Sequence, residues 1–376
     1  MNDTGEIRAR RAWRDRPTFV SLYSGCGGMD IGFAWAGFEP IWSNDIDPVA
    51  VDTYRRALPG HESTCGDISS LRHRPGLDAA DLVIGGPPCQ GFSVAGRMDP
   101  SDPRSEHVWR FLEMVEAVRP KAFVMENVKA LAINRRWTGL LDDLRLRAED
   151  LGYEQRLYVL NAADFSVPQA RERMFLVGVK HGEGHHCEPL PDSAHRRPSL
   201  RDALDTLPQF GSPGNDNVCP AKITTAKAPV LRRSPWAGML FNGAGRPMDL
   251  DRPAPTLPAS MGGNKTPIVD QKQIDSDGGE PWVVSYHRHL WEGGVPREAV
   301  PGELRRITVE EAAAIQTFPR GMDWAGPQSA RYRQIGNAVP PELAYRVALS
   351  VRSSLGLDAV TAARSKKKAA DLAGVR

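Results

Sequence analysis

Apolar residues in the first half of the chain fall into two alternating patterns. Short unbroken runs bounded by turn residues predict buried strands. Longer stretches with apolar positions three and four apart predict helices with one buried face. Thr18-Phe19-Val20-Ser21-Leu22-Tyr23 reads as the first strand, and Met29 to Ala36 as the helix after it. Pro40 to Asn44, Asp81 to Ile84 and Ala122 to Met125 follow as strands. Between the last two, Glu106 to Val118 puts Val108, Phe111, Leu112, Val115 and Val118 on one helical face. Trp137 to Leu151 has the same spacing, and Arg156 to Leu160 and Met174 to Val179 are again strand-like. Strands alternating with helices predict an α/β fold, a doubly wound and mostly parallel sheet.

The pattern breaks after Lys180. From there to about Pro301 periodicity fades and Pro, Gly, Asn, His and Arg dominate, which predicts a smaller, loop-rich domain over 181–301. Helical order returns where Thr308 reads as an N-cap with Glu311 three residues on, opening a helix that runs to about Phe318. An apolar helix over Glu342 to Leu355 closes the ordered part. The expected layout is a flexible basic arm (1–17), a first domain (18–180), the loop-rich domain (181–301), a segment returning to the first domain (302–355) and a disordered tail (356–376).

Composition narrows the class without deciding it. Of 376 residues, 48 are Lys or Arg and 46 Asp or Glu, a net charge of +2, so any nucleic-acid face has to come from local clustering. The five cysteines, Cys26, Cys65, Cys89, Cys187 and Cys219, are odd in number and far apart. That argues against a disulfide framework and for a reducing cytoplasm. No run approaches the roughly 18 apolar residues of a membrane span, and the charged start has no apolar signal core. His181, His185, His186, Cys187 and Cys219 match no standard zinc spacing, so no metal is expected.

Candidate chemistry gathers at the ends of the predicted strands, where open α/β sheets bind ligands. Gly25, Gly27 and Gly28 make a tight turn between first strand and helix, which lets a ligand approach the backbone and the free N–H groups of the helix start. Asp45 lies twenty residues past Gly25, a spacing suited to an acid that accepts from ribose hydroxyls. Asp67 can accept from an adenine amine or simply serve a turn. Cys89 follows the Asp81 to Ile84 strand within Gly85-Gly86-Pro87-Pro88-Cys89-Gln90-Gly91. Prolines and glycines do not build a core position, so this thiol reads as a nucleophile rather than a buried hydrophobe. Glu126 reaches the same sheet edge and is a candidate proton donor. A nicotinamide-dependent dehydrogenase would explain the first strand, turn and acid, but not Cys89.

Several runs together resemble the DNA (cytosine-5)-methyltransferase family of bacterial restriction–modification systems. In the family's order they are Tyr23-Ser24-Gly25-Cys26-Gly27-Gly28, Asp45-Ile46-Asp47, Gly66-Asp67-Ile68, Pro87-Pro88-Cys89-Gln90, Glu126-Asn127-Val128, Gln169-Ala170-Arg171-Glu172-Arg173 and Gln334-Ile335-Gly336-Asn337. The Pro-Cys-Gln, Glu-Asn-Val and Gln-x-Arg-x-Arg combination is highly specific. The glycine turn alone is not. The resemblance implies a Rossmann-like, S-adenosylmethionine-dependent enzyme with a catalytic domain over 18–180, completed by 302–355, and a DNA-recognition domain over 181–301. It implies Cys89 as the nucleophile, Glu126 as partner of the cytosine ring, and Arg171 and Arg173 as residues that position the base and catalytic groups. Tyr23, Gly25, Gly27, Gly28, Asp45, Ile46, Asp67, Ile68, Pro88 and Asn337 fall on cofactor positions. Thr256-Leu257 matches the paired residues near the recognition loops, with Pro258 to Lys265 as one such loop. Ser21 replaces a frequent acid, Asp45 a frequent Glu, and Ser105 a usual Gly.

The implied partner is double-stranded DNA, methylated by a monomer without metal or membrane, with a cognate restriction endonuclease implied by function. Arg232, Arg233, Asn264 and Lys265 are candidates for base or phosphate contacts. The related tRNA-modifying branch carries Cys-Phe-Thr shortly after Glu-Asn-Val, which this chain lacks. A DNA-binding regulator without turnover is a further alternative, disfavoured by intact Cys89, Glu126 and Arg173.

Overall fold

The structure, a computed structural model, describes residues 16–70, 77, 80–88, 106–191, 196–276 and 279–357. Cys89, most of the basic arm and the tail from residue 358 lie outside the described residues. In chain order the strands are β1 (Thr18–Leu22), β2 (Glu39–Asp45), β3 (Glu62–Cys65), β4 (Leu82–Gly85), β5 (Ala122–Val128), β6 (Tyr153–Asn161), β7 (Gln169–Ala170) and β8 (Glu172–Lys180). They are followed by β9 (Thr225–Val230), β10 (Met239–Phe241), β11 (Ala254–Pro255), β12 (Ile268–Asp270) and β13 (Leu304–Arg306). Two compact units result, one within Met1–Asn161, Glu172–Pro191 and Pro341–Arg376, the other within Ala162–Arg171 and Asp192–Pro340.

The first unit is built on a seven-stranded sheet in the order β3-β2-β1-β4-β5-β8-β6. Strands β1 to β5 run parallel, and β8 lies antiparallel between β5 and β6. The reversal follows from the short link between β6 and β8, which has no crossover helix and so can join only antiparallel neighbours. Strands β1, β4 and β5 read as unbroken apolar runs because both sheet faces are covered. On one face the helices His107–Val118 and Thr138–Asp150 bury Phe111, Leu112, Val115 and Leu144 against Val20, Val83, Phe123 and Met125. Each such side chain contributes about 1.5–3 kcal/mol. The last helix, Pro341–Ser354, packs against the helix Gly28–Trp35. A Cβ at Gly32 would stand 2.4 Å from the Pro341 carbonyl oxygen, so only glycine permits this approach.

The second unit corrects the expected boundaries. Of the segment 302–355, β13 and the helices Val309–Ile315 and Gln328–Asn337 belong to the second unit, and the chain rejoins the first only from Pro341. The cause is pairing: β13 runs antiparallel to β12, with Ile268 opposite Arg306. Ala162–Arg171 also belongs here, tied in by the parallel pair of β7 and β11. Residues 181–191 stay with the first unit, where the His185 N–H donates to the Ser354 carbonyl at 2.9 Å.

Within the loop-rich stretch the helix Trp282–Trp291 buries Val283, Tyr286 and Leu290 with Leu240, Phe241, Ile268 and Leu304 in a small core. The Thr308 cap forms as expected: its hydroxyl accepts from the Glu311 N–H at 3.0 Å, and the Glu311 carboxylate accepts from the Thr308 N–H at 2.9 Å. That helix stops at Ile315 rather than Phe318, since Thr317 takes a left-handed φ of 64°. Among the described residues no helix is long and apolar enough to cross a membrane.

Candidate active site

Turns converge at the carboxyl ends of β1, β2 and β3. Tyr23 and Gly25 both take φ of 55°, and Gly27, with φ of 88°, starts the helix Gly28–Trp35. Asp45 ties this turn to β2, its carboxylate accepting from the N–H groups of Gly25 and Asp47 at 2.8 Å each. Burial raises its pKa above the usual carboxylate value despite those donors. Each of its oxygens retains a second lone pair for a ligand hydroxyl. Beside it Ile46 is 70% exposed, an apolar face for a flat ring. The Gly66 N–H donates to the Asp45 carbonyl at 3.0 Å, bringing the exposed Asp67 to the same edge. Hydrogen bonds from the Ser69 hydroxyl and N–H hold the Asp67 carboxyl below its ordinary pKa. The Ile68 side chain is buried in the core, so only its backbone can serve a ligand. Tyr23 donates to the His107 carbonyl at 3.3 Å and lies 3.1 Å from its Nδ1. His107 was not among the sequence candidates, because a lone histidine at a helix start carries no motif.

The ends of β4, β5 and β8 hold a second cluster in the same unit. Glu126 leaves β5, and Arg173, opposite Val128 on β8, places Nε 3.0 Å from Glu126 Oε1. Their side chains are 13% and 16% exposed, so this pair is largely withdrawn from water. A Cβ at Gly86 would stand 3.0 Å from Glu126 Oε2, so glycine lets the β4 loop close on the carboxylate. Asn127 Nδ2 donates to the Pro87 carbonyl at 3.1 Å and fixes the approach to the half-buried Pro88. A guanidinium beside a carboxylate presents donor and acceptor together, as a ring edge bearing oxygen, imine nitrogen and amine requires.

The remaining candidates lie in the second unit. Arg171 is buried, its guanidinium donating to the carbonyls of Gly336 at 3.1 Å and Leu257 at 3.4 Å. It therefore holds these two stretches of backbone in place. Leu257 is 1% exposed, and its N–H donates to Gln169 Oε1 at 3.1 Å, so its side chain is removed from the expected DNA contacts. Thr256 is exposed but holds the Ala170 carbonyl at 3.0 Å. Asn264 and Lys265 are exposed on a loop whose Gly262 and Gly263 N–H groups donate to the Thr266 hydroxyl. Arg232, Arg233 and Asn337 are also exposed. Among the described residues no three His, Cys, Asp or Glu side chains gather as for a metal.

A family profile described as C-5 cytosine-specific DNA methylase matches residues 17–353. The chain belongs to this family. This methylase is a DNA cytosine-5-methyltransferase, and it is 33% identical to the type II methyltransferase M1.HphI of Haemophilus parahaemolyticus, over 89% of this chain and 86% of that one. It is 30% identical to M.FnuDI of Fusobacterium nucleatum over 89% and 94% of the two chains. Among solved structures it is similar to a putative DNA modification methyltransferase encoded within an Escherichia coli prophage. The TM-score is 0.64 at 20% identity, with 90% of this chain and 99% of that one covered. The methylase family and fold imply S-adenosylmethionine. Exposed Ile46 beside the Asp45 carboxylate fits a nucleoside with an apolar ring and ribose hydroxyls.

Proposed function

We propose that this methylase transfers the methyl group of S-adenosylmethionine to C5 of a cytosine flipped out of a specific duplex DNA sequence, with Cys89 as nucleophile. The observation that carries the reading is the Glu126–Arg173 pair at 3.0 Å, closed on by Gly86, three residues before Cys89. Cytosine C5 is too electron-poor to attack a methyl sulfonium unaided. The Cys89 thiolate adds to C6, and the ring becomes enamine-like with electron density at C5. Glu126, in its protonated form, donates to N3 and accepts from the 4-amino group, and Arg173 donates to O2, where charge develops. S-adenosylmethionine, when bound, supplies the methyl group. Loss of the C5 proton then expels Cys89 and restores the aromatic ring. A stacked base is out of reach of these groups, so the cytosine leaves the duplex, as it does for methyltransferases as a class.

Tyr23, Gly25, Gly27, Gly28, Asp45, Ile46, Asp67, the Ile68 backbone, Pro88 and Asn337 hold the cofactor. Arg232, Arg233, Asn264 and Lys265 contact DNA, and Arg171 with Thr256 and Leu257 fixes the backbone where the loop from Pro258 to Lys265 begins. The enzyme acts as a cytoplasmic monomer and protects host DNA from a cognate endonuclease, in keeping with the type II methyltransferases it is similar to. Tritiated methyl transfer to unmethylated duplex DNA, with tRNA and Cys89→Ala as controls, tests this. The expected result is label at cytosine C5 of DNA and none with the variant. Label on tRNA alone would reassign the substrate to RNA, and DNA binding without transfer would leave a regulator.

A further inference from the structure

The β9–β10 hairpin exposes two neighbouring arginines, Arg232 and Arg233, that form no ion pair among the described residues. An exposed, uncompensated pair of cations is ordinarily a mobile, solvated tip. Here the backbone beneath them is fixed from several sides. Leu231 before them and Trp236 after them both pack on the small core of the second unit. The Ser234 hydroxyl accepts from the Trp236 N–H at 3.3 Å, and the Ala237 N–H donates to the Ser234 carbonyl at 3.2 Å. At the far side of the turn, a Cβ on Gly238 would stand 2.8 Å from the Val230 carbonyl oxygen, so the two strands draw close.

The remaining anchor is His287, on the helix Trp282–Trp291. It is 8% exposed, and its Nε2 lies 2.8 Å from the carbonyl oxygen of Arg232. A carbonyl only accepts, so Nε2 carries the proton and donates it. The Trp291 ring covers the imidazole at a centroid distance of 5.5 Å and 30° between planes, sheltering the bond from water. No motif in the sequence marks His287.

We propose that His287 is a positioning residue for DNA specificity: by holding the Arg232 carbonyl it sets the direction in which Arg232 and Arg233 leave the turn, so that they read guanine edges rather than phosphates. The proposal rests on the reading of those arginines as DNA contacts. Phosphate contact tolerates a mobile side chain, because the charge is spread along the backbone and carries no sequence. A bidentate bond to guanine O6 and N7 needs both donors placed to within a fraction of an ångström, which requires fixed backbone.

Two conservative variants separate this role from packing. His287→Gln keeps an N–H donor at the reach of Nε2, whereas His287→Asn is too short to meet the Arg232 carbonyl. The probe is unmethylated duplex DNA amplified from a bacterial genome, and bisulfite sequencing reads the bases around every methylated cytosine. Melting temperature and S-adenosylmethionine affinity serve as controls for folding. The expected result is a site preference relaxed about tenfold at one or two positions in H287N, close to wild type in H287Q, and relaxed at the same positions in R232A or R233A. Equal profiles for H287N and H287Q, while an arginine variant still relaxes the preference, would overturn the role of His287 and leave the turn as the reader. Unchanged preference in both R232A and R233A, with all sites methylated proportionally more slowly, would overturn the base-reading of the turn as well.

Discussion

In the first unit the functional groups leave the ends of strands whose preceding residues are buried and apolar: Val124 and Met125 before Glu126, Val83 and Ile84 before Gly85 and Gly86. Ladder hydrogen bonds and hydrophobic burial set the backbone, and polarity begins where the sheet stops. The second unit has little sheet, and its loops are held in part by buried charged side chains. Arg306 is 2% exposed and donates to the carbonyls of Thr266 at 2.6 Å and Ala221 at 3.0 Å. Arg171 does the same for Leu257 and Gly336, and Arg305 makes a twofold bond to the nearly buried Glu311. Such groups are costly to desolvate and add little net stability, but they admit few geometries. The contrast teaches that groups at strand ends can rest on a generic sheet, whereas irregular loops are held by individual polar clamps.

The sharpest way to break this contrast is at the Glu126–Arg173 pair. Glu126→Gln keeps shape and burial but removes the carboxylate, and should lower kcat by about 10²–10⁴-fold, the span of a lost acid–base or charge-stabilising group. Melting temperature measured alongside separates the loss of this buried ion pair from the loss of chemistry. A kcat within threefold of wild type in a quench-flow assay would separate Glu126 from the chemistry.

The second test is on the clamps. Arg306→Met leaves two buried carbonyl oxygens without their donor, at about 1–3 kcal/mol each. Calorimetry should show the corresponding loss of stability, while affinity for S-adenosylmethionine, assigned to residues of the first unit except Asn337, stays near wild type. Undiminished stability would mean that the loops are held by packing alone.

The smallest effect sharpens the picture of the first unit, where a carboxyl lies fully buried. Asp30 is fully buried beneath the glycine turn and accepts from the Tyr54 hydroxyl at 3.0 Å, and burial pushes its pKa up to about 6. A carboxyl raised in the folded state binds more protons there than when unfolded. Its contribution is therefore complete below the unfolded value near 4 and is lost as pH rises through about 6. Asp30→Asn should gain on the wild type by about 2–3 kcal/mol between pH 4 and 7 in denaturant unfolding. A constant difference across that range would mean that Asp30 titrates normally.

What was legible in the sequence follows the same division. The strands β1, β2 and β4, the glycine turn and the Thr308 cap are local patterns, and they stand within a residue or so of where the spacing places them, whereas β5 runs past Met125 to Val128. Glu126 and Arg173 were readable as motif members, but their 3.0 Å contact was not, since it depends on the antiparallel register of β5 and β8. The backbone partners of Arg171 were not legible because they lie far along the chain, Gly336 being 165 residues from Arg171. The helix Trp282–Trp291 did carry a signal: Val283, Tyr286, His287 and Leu290 fall at helical spacing. Flanking Pro281, Gly293 and Gly294 masked it, and His287 gains meaning only from a turn 55 residues away.

The most direct test of the catalytic reading is a covalent trap. Duplex DNA made with 5-fluorocytosine in place of cytosine would be incubated with the methylase and S-adenosylmethionine, then digested for peptide mass spectrometry. Fluorine cannot leave C5 as a proton does, so the account predicts a stable adduct on the peptide containing Cys89, absent without the cofactor's methyl group. Methyl transfer to unmodified DNA with no trapped peptide, or an adduct on another residue, would contradict it.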